Sequence, residues 1–251
     1  MTPAVLLLHG FTHTGASWDP VVTALGERYR AIAPDIRGHG SASNREPVTL
    51  EAVLADIEAI SPERFTLVGY SMGGRIALHA ALAMPERVER LIMIGASPGI
   101  ADPAGRDERE RDDARLADEI ERSSIEEFAE RWAATPLLAG VPGEVLARAQ
   151  ADRRRSTPAG LARALRGLGT ARLPSLWHRL GELTMPVILV VGERDEKFRA
   201  TAARMAERMP AAEVVVMPDA GHAVHLEAPA RIAQVIAGSS SPERSRRARR
   251  A

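Results

Sequence analysis

Residues 67–78 read LVGYSMGGRIAL. An apolar run ends in Gly-x-Ser-x-Gly, and a helix-like pattern follows at once. A serine at so sharp a strand-to-helix turn sits on strained backbone with its hydroxyl lifted above the sheet edge. The flanking Gly69 and Gly73 keep the turn from clashing with its neighbours. A helix opening at Met72 aims its first N–H groups at any negative charge that forms beside Ser71. Four residues on, Arg75 falls on the same helix face as the serine, one turn away. Its neighbours Ile76, Ala77 and Leu78 are apolar, which predicts a covered position. A covered guanidinium needs an anion, and its fork of donors matches a carboxylate at two points.

The chain around this stretch alternates in the same way. Strand-like runs fall at Ala4–Leu8, Arg30–Ala33, Phe65–Gly69, Val88–Ile94, Val187–Val191 and Glu213–Met217. Continuous apolar runs of this length suit parallel strands covered on both faces. Helical patterns separate them at Trp18–Glu27, Leu50–Ile60, Met72–Met84, Phe198–Arg208 and Pro229–Ala237. The expected fold class is α/β, a mostly parallel sheet with helices on both faces. The alternation breaks after Gly95. Residues 97–183 hold no convincing strand and are punctuated at Pro136, Pro142, Pro158 and Pro174. They predict four or five short helices inserted as a cap, with the core formed by 1–96 and 184–238. The tail, 239–251, has five arginines against one glutamate and reads as a disordered basic segment.

The bulk numbers exclude several classes. Lys+Arg and Asp+Glu balance at 33 each over 251 residues, so no global field points to nucleic acid or to an acidic membrane. There is no cysteine, which removes disulfides, thiolate metal sites and a cysteine nucleophile. The N-terminus lacks a basic segment before its short apolar run and reads as a first strand. No window approaches a membrane span, and the expected location is the cytoplasm. Lys197 is the sole lysine in a chain that otherwise uses arginine.

If Ser71 is reactive, its partners are expected later in the chain, as an acid and then a histidine. "ILVVGERDEKF" places Asp195 just beyond a strand, and "VVVMPDAGHAVH" places His222 beyond the last one. Both loops lie at the carboxyl ends of strands, where open α/β sheets bind ligands. Asp219 is the rival acid and His225 the rival base. An oxyanion hole needs two donors. The backbone N–H of Met72 is one, and that of Phe11, after Gly10 in "LLLHGF", is the other. His9, and Asp35 and His39 in "PDIRGHGSAS", read as turn-forming.

Together HGF, DIRGHGSAS, GYSMGG, GERD and AGH resemble the α/β-hydrolase superfamily over the whole chain apart from the tail. A closer resemblance lies in GYSMGGRIAL, SPGI, GERDEKFRA, AGHAVH, the arginine-rich GRDERERDDARL and a tryptophan in the cap. These are similar to the 2-succinyl-6-hydroxy-2,4-cyclohexadiene-1-carboxylate synthases of menaquinone biosynthesis. The resemblance implies that Tyr70, Arg75, Arg109, Trp132, Arg153 and Lys197 line the substrate site, the arginines holding a small anionic carboxylate substrate. It implies a lyase that eliminates pyruvate, with Ser71 as base, His222 and Asp195 behind it, and neither metal nor organic cofactor. Two other readings stay open. One is a serine hydrolase acting on a small ester or thioester, with Ser71 as nucleophile. The other is a non-enzymatic ligand-binding or signalling protein of the same fold.

Overall fold

The computed structural model describes residues 2–238 apart from 136, 137 and 139; the tail, 239–251, lies outside the described residues. Six strands form one sheet, every pairing parallel: β1 (Ala4–Leu8), β2 (Arg30–Ile32), β3 (Phe65–Tyr70), β4 (Val88–Ile94), β5 (Val187–Gly192) and β6 (Ala212–Met217). Their order across the sheet is β2-β1-β3-β4-β5-β6. The chain steps outward from β1 to β2, then crosses back over β1 and continues the other way from β3. The carboxyl ends of β1 and β3 therefore flank the point where the winding reverses. A crevice opens at such a point because the loops on its two sides leave in opposite directions. The loop bearing Phe11 and the turn bearing Ser71 stand on these two strands.

The inner strands β1, β3, β4 and β5 are largely buried, as their unbroken apolar runs require. The edge strands β2 and β6 are partly exposed, with Val214 and Val216 of β6 open to solvent despite the apolar run that predicts coverage on both faces. Leu6, Leu8, Leu67, Leu91 and Leu189 pack into one layer, with α2 (Leu50–Ile60), α3 (Met72–Ala83) and α8 (Glu196–Ala206). Val5, Leu7, Val68, Ile92 and Val190 pack into the other, around Trp18, Val21 and Ile232. That second layer is covered by α1 (Asp19–Leu25) and α10 (Pro229–Ile236). A one-turn helix, α9 (Val224–Glu227), precedes α10. The sequence pattern reads straight into α10 and misses it. Helix α8 begins two residues before the expected Phe198. Asp195 caps it by accepting from the Phe198 N–H, so the capping signal outranked the apolar pattern.

Between β4 and β5 run α4 (Pro103–Glu121), α5 (Ile125–Ala133), α6 (Gly143–Arg153) and α7 (Pro158–Leu168). Helix α4 has 19 residues, longer than the short helices expected. Local signals start each of three: Asp102 and Pro103 for α4, a Ser124–Glu127 capping box for α5, Thr157 and Pro158 for α7. Ala117, Ile120, Phe128, Leu161 and Leu165 give this region an apolar cluster of its own. Its polar anchors to the sheet loops include Gly40 N–H to Ser156 Oγ (3.0 Å) and Arg163 to the Ser43 carbonyl (2.8 Å). No helix among the described residues is long and apolar enough to cross a membrane.

Candidate active site

The turn at Ser71 is as tight as its glycines suggest. Ser71 has φ 49° and ψ −109°, a backbone that L-residues rarely adopt. Its N–H is fixed by the Ile94 carbonyl at 2.9 Å. A Cβ on Gly73 would lie 2.2 Å from the Leu8 carbonyl oxygen, and one on Gly69 would lie 2.3 Å from that of Gly73. The obstacles are backbone, so neither can yield. Gly73→Ala is expected to destabilise the protein by about 3 kcal/mol or more, the upper end of overpacking costs. Its thermal midpoint should fall by roughly 6–12 °C. Gly143→Ala meets nothing within 4 Å and should leave the midpoint unchanged or higher; equal behaviour of the two variants would refute the packing account.

His222 Nε2 lies 3.3 Å from Ser71 Oγ, and its Nδ1 lies 2.7 Å from Asp195 Oδ2. A carboxylate can only accept, so Nδ1 carries the proton and Nε2 is free to take one from the hydroxyl. The ring is clamped between Tyr70 and Phe198, with centroids 5.4 and 4.7 Å away. Asp195 is held in turn by its cap on α8. The rival acid, Asp219, stands on an exposed turn with φ 57°, its N–H given to Glu193. The rival base, His225, is fully buried against Trp18 and Tyr70. Burial holds it well below the ordinary histidine range, helped by His13 and His222, so it stays neutral behind the site.

One residue the sequence reading missed ties the two loops together. The side chain of Glu227 is covered and accepts the Gly221 N–H at 3.0 Å, while Arg194 donates to it at 2.8 Å. It thereby joins the residue before His222 to the residue before Asp195. The spacing of His222 and Glu227, five residues across one helical turn, is the signal that could have found it.

Phe11 and Met72 both face the cavity above Ser71. Met72 opens α3, so its N–H has no partner inside the helix. The turn bearing Phe11 is braced from α6. Thr12 is buried with φ 72°, an outlier for a β-branched residue. Its hydroxyl accepts from Arg153 Nε at 3.1 Å. The neighbouring Asp152 accepts from His13 Nδ1, Thr14 N–H and the Thr14 hydroxyl. Burial opposes its charge, but these donors prevail and hold its carboxyl down to about 2.

The cavity has a volume of about 560 Å³. Of the residues expected to line it, Arg75, Arg109, Trp132 and Lys197 do so. Arg75 is 8% exposed and its Nε has no partner. Burial, then the nearby Arg109, lower it to about 10, so it remains cationic at neutral pH. Arg109 is aimed by Asp113, which accepts from its Nε at 2.6 Å. Trp132 stands edge-on to Phe11, with centroids 5.5 Å apart. Tyr70 and Arg153 are placed otherwise. Tyr70 is buried with its ring against Gly10 and His222, and Arg153 is fully buried with Nη1 and Nη2 unpartnered. Neither is part of the wall, which instead includes Trp177, Thr201 and Arg204, none of them anticipated.

With this geometry in view, the comparisons with known proteins become specific. The family described as "Alpha/beta hydrolase family" matches residues 5–235. A 2-succinyl-6-hydroxy-2,4-cyclohexadiene-1-carboxylate synthase of Enterobacter sp. (strain 638) is 32% identical over 94% of this chain and 90% of its own length. A Bacillus subtilis (strain 168) protein that carries the same name provisionally is 35% identical over 93% of this chain and 88% of its own. Among solved structures, MenH from S. aureus superposes with a TM-score of 0.88 and 30% identity, covering 95% of this chain and 93% of that one.

Proposed function

This chain belongs to the alpha/beta hydrolase family and, within it, to the 2-succinyl-6-hydroxy-2,4-cyclohexadiene-1-carboxylate synthases, and we propose that Ser71 serves it as a base on carbon rather than as a nucleophile. The protein is a carbon–oxygen lyase of menaquinone biosynthesis. It eliminates pyruvate from 2-succinyl-5-enolpyruvyl-6-hydroxy-3-cyclohexene-1-carboxylate. As the Ser71 hydroxyl proton passes to His222 Nε2, Ser71 Oγ takes a ring proton. The electron pair moves through the ring and breaks the bond to the enolpyruvyl oxygen. The proton on His222 is then available to the departing pyruvate. Asp195 keeps Nδ1 protonated and offsets the imidazolium. The N–H groups of Phe11 and Met72 meet the dienolate-like oxygen as its charge grows. Residues 97–183 act as the cap that closes this chemistry from water.

The observation that carries the reading is the sign of the walls. The Ser71–His222 pair opens into a cavity lined by Arg75, Arg109 and Lys197. A neutral ester has no use for those cations, whereas this substrate brings three carboxylates. Pyruvate release from freshly generated precursor, followed in real time, is the test. Efficient release supports the lyase. Its absence, together with a burst of acyl-enzyme from an activated ester, would leave the serine-hydrolase reading. Arg75→Ala is expected to lower kcat/KM for the anionic substrate by about a hundredfold, since it strips the partner from a buried charge. Turnover of a neutral ester should barely change. An equal loss on both would make Arg75 structural.

A further inference from the structure

The two cavity-facing cations of α8 lack the carboxylate partners that several other surface arginines have. Arg64 pairs with Glu89, Arg166 with Asp118 and Glu121, and Arg179 with Glu182. Among the described residues neither Lys197 nor Arg204 has a carboxylate partner. Both line the cavity, with Thr201 between them. Residues at i, i+4 and i+7 share one face of a helix, so these three form a single strip about 10 Å long. The strip starts beside the reacting groups. Lys197 Nζ lies over the Phe198 ring, and Phe198 packs on His222. It ends at Arg204, whose guanidinium lies over the Trp177 ring, 4.8 Å from its centroid. Trp177 is itself fixed, its Nε1–H donating to the Gly99 carbonyl at 3.0 Å.

Stacking on a fixed indole orders a guanidinium without neutralising it, and its in-plane donors remain free for a carboxylate. The one carboxylate side chain in the wall among the described residues, Asp102, is already engaged by the Gly105 N–H at 2.7 Å. In a chain of zero formal charge, positive charge is thus gathered on two walls. Arg75 and Arg109 stand on α3 and α4, and Lys197 and Arg204 on α8. One guanidinium pair cannot take every carboxylate of a tricarboxylate ligand. We propose that Lys197 and Arg204 form a second carboxylate subsite, with Arg204 on Trp177 selecting ligands that carry an anionic arm remote from the one held by Arg75. For the physiological substrate this rests on the lyase reading; for the ligand class it stands alone.

Arg208 supplies the control. It too lies over the Trp177 ring, 5.4 Å from its centroid, but does not line the cavity. Two measurements are made on Arg204→Ala and Arg208→Ala. One is the KM and kcat of pyruvate release. The other is the affinity of the unreactive tricarboxylate tricarballylate, read by calorimetry. Arg204→Ala is expected to raise KM about tenfold, with the loss falling on KM more than on kcat, and to weaken tricarballylate about tenfold. Arg208→Ala is expected to match the wild type in both. If the wild type releases no pyruvate, the lyase reading fails and tricarballylate alone decides the subsite. Should Arg204→Ala bind tricarballylate as well as the wild type does, or Arg208→Ala lose as much, the subsite is wrong even if pyruvate release is efficient.

Discussion

Ser71→Ala is expected to lower pyruvate release by about a thousandfold while leaving the fold and substrate affinity in place. The size follows from the role. A positioned general base contributes roughly 10²–10⁴ in rate, and here the hydroxyl lines the cavity 3.3 Å from His222 Nε2. Alanine keeps the turn's unusual backbone and removes one oxygen. Arg75, Arg109 and the Phe11 and Met72 N–H groups remain, so KM should move little and residual turnover should persist above the uncatalysed rate. His222→Ala should cost a similar factor, and the double variant little more, because the two act as one unit. Additive losses would mean that serine and histidine work on different steps. The same variants separate base from nucleophile. Incubated with substrate and quenched, the wild type should show no covalent mass on Ser71 if the serine only carries a proton. A trapped adduct on Ser71 would overturn the base assignment, and full activity of Ser71→Ala would overturn the site.

Sequence reading could pick out Ser71, Asp195 and His222, which the structure brings within hydrogen-bond reach, because each sits at a strand end with its own local signature. Ser71 lies between glycines that backbone contacts demand, and Asp195 and His222 lie on the loops after β5 and β6. Such signals need no knowledge of long-range packing. The segment between β4 and β5 was different. Its helices could be counted from apolar spacing and prolines, but not which arginines turn inward. That choice depends on how α4, α6 and α7 rotate against loops more than a hundred residues away. Arg153 illustrates the failure. Next to Arg154 and Arg155 in sequence, it alone is driven to full burial, because Asp152 beside it must reach His13 and Thr14. Arg204 was legible in principle, lying seven residues beyond Lys197 on one helical face. Only Trp177, from a separate segment, turns that exposed arginine into a cavity wall.

The second large effect concerns stability. Five of the chain's seven histidines gather around Gly10 and Tyr70, and four of them are held below their ordinary range chiefly by burial. His9 is lowered to about 4 and His39 to about 3, and His13 and His225 are lowered as well. The hydrogen bonds agree with neutral rings. His9 Nε2 accepts the Ile36 N–H at 2.9 Å, so only its Nδ1 can carry hydrogen, shared with the Gly10 carbonyl. The rings also oppose one another's charging, His9 on His39 and His13 on His225. Asp35 and Asp152 only partly offset this. In the unfolded chain each ring titrates near 6.5. The unfolded state therefore binds more protons between about pH 6.5 and pH 4, and stability falls as pH drops through that window. Each differential proton removes about 1.4 kcal/mol per pH unit. Two neutral rings give nearly 3 and four give more than 5, against a total of about 5–15 kcal/mol for a domain. Between pH 6 and pH 5 the thermal midpoint should fall by roughly 10 °C. His39→Gln should remove one proton's share of the slope. If the glutamine variant does not fold, the wild type still answers. The ring resonances of these four histidines should stay untitrated down to pH 5 in the folded protein, and a stability profile flat from pH 7 to pH 5 would show that the rings are charged or solvated.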